Sequence, residues 1–177
     1  MSARNPERTG RRKPGAFLAR ALPVLALVVA AGAYLEHRFR LGIDDQKELC
    51  LPGNHRWFLI DRMDRDIWRG DLLAFGADQR MAPWFPLNQV VVKIATGVSG
   101  DRVEVTVDHT RINETAVADG LALAEKLNRQ VTAFFRSEVI PPGSYWVTGT
   151  HPRSFDSRYW GYVNENQIVG RAYALPF

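Results

Sequence analysis

Residues 16–35 read AFLARALPVLALVVAAGAYL, a run whose length and composition restrict the rest of the chain more than any other feature. A helix rises about 1.5 Å per residue, so a run of this length spans about 30 Å, the thickness of one bilayer core. Its single charge, Arg20, falls in the first turn, where a long side chain can reach the headgroups. Ahead of it, residues 1–15 form a basic tail. Residues 1–20 carry six basic groups and one acid, whereas the remaining 157 carry 17 basic and 18 acidic groups. Positive charge before a span favours a cytoplasmic N-terminus and an exported remainder. A transmembrane anchor at 16–35 and a cleavable signal, with Ala31-Gly32-Ala33 as its cleavage site, both export the chain. The retained anchor is the expectation, and it makes membrane lipid a partner. With the positive charge confined to the tail, the exported part is close to neutral. A nucleic-acid partner is therefore not expected.

Residues 36–45 are charged and are expected to form a linker, with the exported domain at 46–177. Short strands are expected at Arg56–Asp61, Leu72–Phe75, Gln89–Ala95, Arg102–Val107, Ser144–Thr148 and Gln167–Ala174, separated by Gly, Pro and Asp turns. Arg111–Val117 is expected to pair with Arg102–Val107, Ala118–Gln130 to be a helix, and Val131–Phe135 a strand. Many short strands with turn signals between them predict a mainly antiparallel β domain with one minor helix. The loop Met81–Leu87, with Trp84 and Phe85, has the composition of a segment that dips into a membrane surface, with an ordinary contribution to the core as the alternative.

Three segments carry chemistry. Cys50 is the only cysteine, which excludes an internal disulfide, and it precedes Leu51-Pro52-Gly53, a rigid turn. Lys93 lies in Gln89–Ala95 (QVVVKIA), a strand otherwise built for the core. An ammonium there is costly unless paired or neutral, and a neutral amine can act as a base. The alternative is an edge strand with Lys93 facing solvent. Third, Ser154, Asp156, Ser157 and Arg158 fall within five residues, which also suits a loop stapled by an Asp–Arg pair. His55 and His151 leave a Cys/His dyad open, and His37 and His109 read as surface residues. No His, Asp and Glu grouping has metal-ligand spacing, so neither metal nor cofactor is expected.

Together the three segments resemble the signal peptidase I family. Its lysine box, Lys-x-x-x-Gly-x-x-Gly-Asp, is matched by Lys93, Gly97, Gly100 and Asp101. Its terminal box, Ser-x-Asp-Ser-Arg-x-x-Gly, is matched by Ser154, Asp156, Ser157, Arg158 and Gly161. Cys50-Leu51-Pro52 stands where Ser-Met-x-Pro belongs, one residue shorter, as in the conjugative-transfer branch of the family. The resemblance implies an all-β catalytic core behind one membrane helix. It implies Cys50 as nucleophile, Lys93 as general base, Ser154 orienting the lysine amine, and Asp156 with Arg158 as a supporting ion pair. It also implies a precursor protein with a signal sequence as substrate, with a pilin or secretion component of a conjugative system favoured. A catalytically degenerate scaffold of the same fold is the rival reading.

Cysteine in place of serine leaves two resting states open, a thiolate–ammonium pair or a thiol beside a neutral amine, and the pair is the expectation because it forms readily from these two groups. Glu48, two residues before the nucleophile, is expected to repel an oxyanion. The burden of stabilising it then falls on backbone N–H groups, chiefly that of Cys50.

Overall fold

The structure, a computed structural model, describes residues 14–176; the basic tail up to residue 13 lies outside the described residues. The chain divides into two units, Met1–His37 and Arg38–Phe177. The described residues of the first lie in helix α1 (Pro14–Arg38), a 25-residue helix that begins just before the expected span and ends three residues after it. Within it, Ala19–Arg38 is apolar and long enough to cross a membrane, and none of that stretch is buried against protein.

The second unit is antiparallel β. Eleven strands are assigned among the described residues: β1 (Phe39–Ile43), β2 (Trp57–Asp61), β3 (Leu72–Gly76), β4 (Val90–Gly97), β5 (Arg102–Val105), β6 (His109–Ile112), β7 (Thr115–Asp119), β8 (Arg136–Val139), β9 (Ser144–Thr148), β10 (Val163–Asn164) and β11 (Ile168–Leu175). A single helical turn, α2 (Ser157–Trp160), precedes β10. Seven strands form one sheet in the order β1-β2-β11-β3-β4-β9-β10, and four form another in the order β7-β6-β5-β8.

Strand β4 shows why these residues build this core. Its burial alternates along the strand, with Val91, Lys93, Ala95 and Gly97 on the buried face. Val91 and Ala95 join Leu73, Phe75, Val103, Ile112 and Trp146 in the larger of two apolar clusters. The opposite face of the sheet supports a smaller one around Leu51, Phe58, Ile60 and Ala172. With apolar side chains on both faces and a strand on either side, β4 reads as a continuous apolar run, the signature of a buried central strand. Its end at Gly97 meets the second sheet closely. A Cβ there would stand 2.6 Å from Ile140 Cδ1 and 3.0 Å from Ile112 Cδ1.

Four expectations are corrected. Residues 36–45 are not a linker, because Phe39–Ile43 pair in register with Asp61–Trp57 as an edge strand. An edge strand with one charged and two exposed apolar residues lacks the alternation that marks a half-buried strand. Arg111–Val117 is not one strand. Asn113 and Glu114 both take positive φ, 46° and 68°, forming the two-residue turn between β6 and β7. Ala118–Gln130 is not a helix: Ala118 and Asp119 end β7, and Gly120 at φ 54° turns the chain away. Leu121 and Leu123, two apart and both buried, follow a spacing that a helix face does not supply. Val131–Phe134 is a 3-10 turn, and the strand comes after it, at β8.

The loop Met81–Leu87 is also corrected as a membrane contact. Met81 and Phe85 are core residues, and Trp84 and Phe85 lie 5.7 and 5.9 Å from the Phe155 ring. Leu87 alone among its large apolar side chains is exposed.

Asp101 fixes the turn between the sheets. Its carboxylate accepts from Val98 N at 2.8 Å, Asn113 Nδ2 at 2.7 Å and Arg69 Nη2 at 2.5 Å. Burial alone would raise its pKa, but these three donors outweigh burial and hold it below the ordinary carboxylate value. A carboxylate depressed on folding adds stability above its unfolded value of about 3.9 and loses it as pH falls through the folded value. Asp101→Asn should therefore lower the melting temperature at pH 7, and the difference from the parent protein should shrink below about pH 4. Thermal melts of both proteins across pH 3–7 would check this, and a constant offset would refute it.

Candidate active site

The site is built where β4 passes the loop after β9. Lys93 points from a strand that packs between β3 and β9, so it cannot reach solvent along the sheet edge. It is 3% exposed, and its Nζ donates to Ser154 Oγ at 3.1 Å. Solvent exposure on an edge strand, the alternative reading of this lysine, is thereby excluded. Among the described residues no carboxylate pairs with Lys93, so the amine is held by a neutral acceptor in an apolar surrounding.

Cys50 is buried too, at 6% exposure. It sits just before the turn Pro52–Asn54, in which Gly53 takes φ 78°. Its Sγ lies 3.5 Å from the carbonyl oxygen of Glu48, a contact in which the thiol donates. Its own carbonyl accepts from Thr150 N at 2.8 Å. The turn that carries Cys50 is thus stitched by backbone to the segment leading into the terminal box. Gly149 makes the approach possible, since a Cβ there would fall 2.8 Å from Cys50 O and collide with Ser154 Oγ. Sequence reasoning assigned no role to Gly149 or Thr150. The signal was a glycine directly after a strand, which marks close backbone approach only once the neighbouring chain is known.

The rest of the terminal box forms a buried frame. Asp156 caps α2, and Arg158 and Asp156 are both fully buried. Asp156 accepts from Arg158 Nε at 2.8 Å, from Arg158 Nη2 at 2.9 Å and from Gly149 N at 3.1 Å. Arg158 also donates to the carbonyls of Asp119, Gly120 and Ser154. Burial alone would lower its pKa, but the Asp156 carboxylate more than offsets burial and raises it. Ser157 Oγ accepts from Val147 N at 2.9 Å, fastening the box to β9.

Cys50 and Lys93 line the same cleft, which has two arms. The first, about 320 Å³, is walled by β1, by Leu51, Phe58 and Ile60, and by Val90–Lys93 of β4. The second, about 390 Å³, has Trp84, Phe85, Leu123 and Phe155 along its floor and Lys47, Glu48, Lys126 and Arg153 around it. The carboxylate of Glu48 is taken up by Arg153 Nη1 at 3.2 Å, with His151 Nδ1 at 3.9 Å. A paired carboxylate repels a nearby oxyanion less than the sequence implied. Neither His55 nor His151 lines either arm, and His151 Nδ1 accepts from Arg153 N, so the histidines are not part of this cleft. Among the described residues no group of three or more His, Cys, Asp and Glu side chains is placed to hold a metal ion.

The chain is similar to known signal peptidases. Signal peptidase I of Bacillus caldolyticus is 26% identical over 178 residues, covering 93% of this chain and 89% of its own. Signal peptidase I of Leptolyngbya laminosa is 32% identical over 107 residues, covering 59% of this chain. The chain spans 50% of the length of that relative. A crystal structure of a signal peptidase I from Enterococcus faecalis V583 aligns with 61% of this chain and 97% of its own, at 26% identity and a TM-score of 0.39. The family model for signal peptidase, peptidase S26, runs over residues 16–176, from the apolar helix through both boxes, and the chain belongs to that family.

Proposed function

We propose that this protein is a membrane-anchored endopeptidase that cleaves exported precursors behind their signal sequence, with Cys50 as nucleophile and Lys93 as general base. The observation that carries the reading is the buried Lys93 amine, held by Ser154 Oγ at 3.1 Å in a cleft that Cys50 also lines. As Sγ adds to the scissile carbonyl carbon, the thiol proton passes to Lys93 Nζ and the carbonyl electrons move onto oxygen. Backbone N–H groups, chiefly that of Cys50, face that oxygen. Collapse expels the amine of the mature chain, which takes the proton from Lys93 and leaves a thioester on Cys50. Lys93 then removes a proton from water, which hydrolyses the thioester and restores the thiol. Ser154 acts on Lys93, and Asp156 with Arg158 act on Ser154.

The anchor is α1, with the β unit on the outer face of the inner membrane, by the charge of the tail that precedes the helix. The Cys50-Leu51-Pro52 spacing favours a pilin or secretion component of a conjugative system as the precursor.

Lys93→Ala should slow cleavage of a pilin precursor by about 10²–10⁴-fold while the melting temperature stays near that of the parent. Lys93→Arg should fail as well, because a guanidinium remains charged and cannot accept the proton. Mass analysis of the products reads both, and wild-type rates in Lys93→Ala would end the assignment of the base.

Cys50→Ala should lose all cleavage. Cys50→Ser distinguishes the two resting states: measurable cleavage that iodoacetamide no longer blocks would mean that Lys93 can deprotonate a hydroxyl. A dead serine variant beside an active parent would point to a thiolate–ammonium pair instead.

Carbonate extraction of membranes should leave the full-length chain in the pellet. Recovery of a soluble form with a new N-terminus at Tyr34 would show that the helix is removed.

A further inference from the structure

The two arms of the cleft differ in charge and in apolar character. The arm bounded by β1 presents Leu51, Phe58, Ile60 and the valines of β4, with Arg40, Asp44 and Asp45 at its edge, so its charges are mixed and net acidic. The other arm has an apolar floor and a basic rim of Lys47, Lys126 and Arg153, relieved by Glu48 alone. Glu48 is taken up by Arg153. Lys47 has no ion-pair partner among the described residues, and Lys126 Nζ rests 4.2 Å above the Trp84 ring, which holds its charge at the rim without neutralising it. Two uncompensated cations therefore face an opening that meets the first arm at Cys50 and Lys93. In low-dielectric clefts such one-signed linings focus their field on whatever enters.

A precursor has two unlike sides at its cleavage point. The signal side is apolar and matches the first arm; the mature side is polar and must leave through the second. We propose that the arm rimmed by Lys47 and Lys126 receives acidic side chains at the first residues after the scissile bond, so that the enzyme prefers precursors whose mature chain begins with Asp or Glu. This rests on the peptidase reading above. Arg153 does not discriminate, because its charge is already met by Glu48. Basic residues at the same positions are repelled.

The test uses the full-length protein in a nonionic detergent and peptides spanning a cleavage site, identical except for Asp-Glu, Asn-Gln or Lys-Lys after the scissile bond. The acidic peptide should be cleaved with a kcat/KM roughly three- to tenfold above the neutral one, and the basic peptide with a lower value than either. The advantage should shrink between about 20 mM and about 300 mM salt. Lys47→Glu with Lys126→Glu should reverse the order of the acidic and basic peptides. Lys47→Glu alone, at an exposed position, should abolish part of the preference and guards against a packing effect at Trp84. Equal rates for acidic and neutral peptides, or a preference that survives the double reversal, would overturn the proposal. Binding of the same peptides to Cys50→Ala protein, read by fluorescence anisotropy, separates it from the catalytic assignment. The same order in binding without any cleavage by the parent supports the acidic arm and removes the peptidase reading, whereas cleavage of all three at one rate does the reverse.

Discussion

The Asp156–Arg158 pair holds the β unit and its site together. Both side chains have no solvent exposure, so both charges have left water and depend on each other and on their hydrogen bonds. A buried pair of this kind is not a general source of stability, but removing one partner strands the other and costs about 3–5 kcal/mol. Here each end is fully engaged. Asp156 takes Gly149 N–H as well as the guanidinium, and Arg158 reaches the end of β7 through the carbonyls of Asp119 and Gly120. One side chain thus joins the four-stranded sheet to the loop that carries the terminal box.

The link from this pair to the cleft runs through Ser154. Its carbonyl accepts from Arg158 Nη2 and its hydroxyl accepts from Lys93 Nζ, so the frame and Lys93 meet in a single residue. Gly149 lets that residue sit against the turn that carries Cys50, and Thr150 N–H fixes the turn through Cys50 O. Cys50 and Lys93 are thus held by backbone and by buried polar partners, and the proton transfer proposed between them would draw on that pre-organisation.

The central strands were legible in the sequence because their chemistry is local. Gln89–Ala95, Ser144–Thr148 and Gln167–Ala174 are β-branched or apolar runs bounded by turns, and the structure places strands on all three. The failures share a cause. β1 is an edge strand whose only distinguishing property is its partner β2, and the β6–β7 turn uses Asn113-Glu114 where a glycine would have marked it. The leucines of 118–130 suggested a helix, but their burial is dictated by contacts such as Leu123 N to Tyr159 Oη, on a residue far along the chain.

By itself the sequence determined the apolar helix, the antiparallel β character of the chain beyond it, and the identity of Cys50, Lys93, Ser154, Asp156 and Arg158 as the residues to watch. Box spacing and hydrophobic runs are one-dimensional and survive without coordinates. The tertiary structure decided which way Lys93 faces, since an inward turn depends on β4 lying between β3 and β9. It brought Glu48 to Arg153 and gathered Lys47 and Lys126 around one arm of the cleft. Those are relations between segments as many as 105 residues apart, from Glu48 to Arg153. Charge acts through space and not along the chain, so only the fold could assemble them.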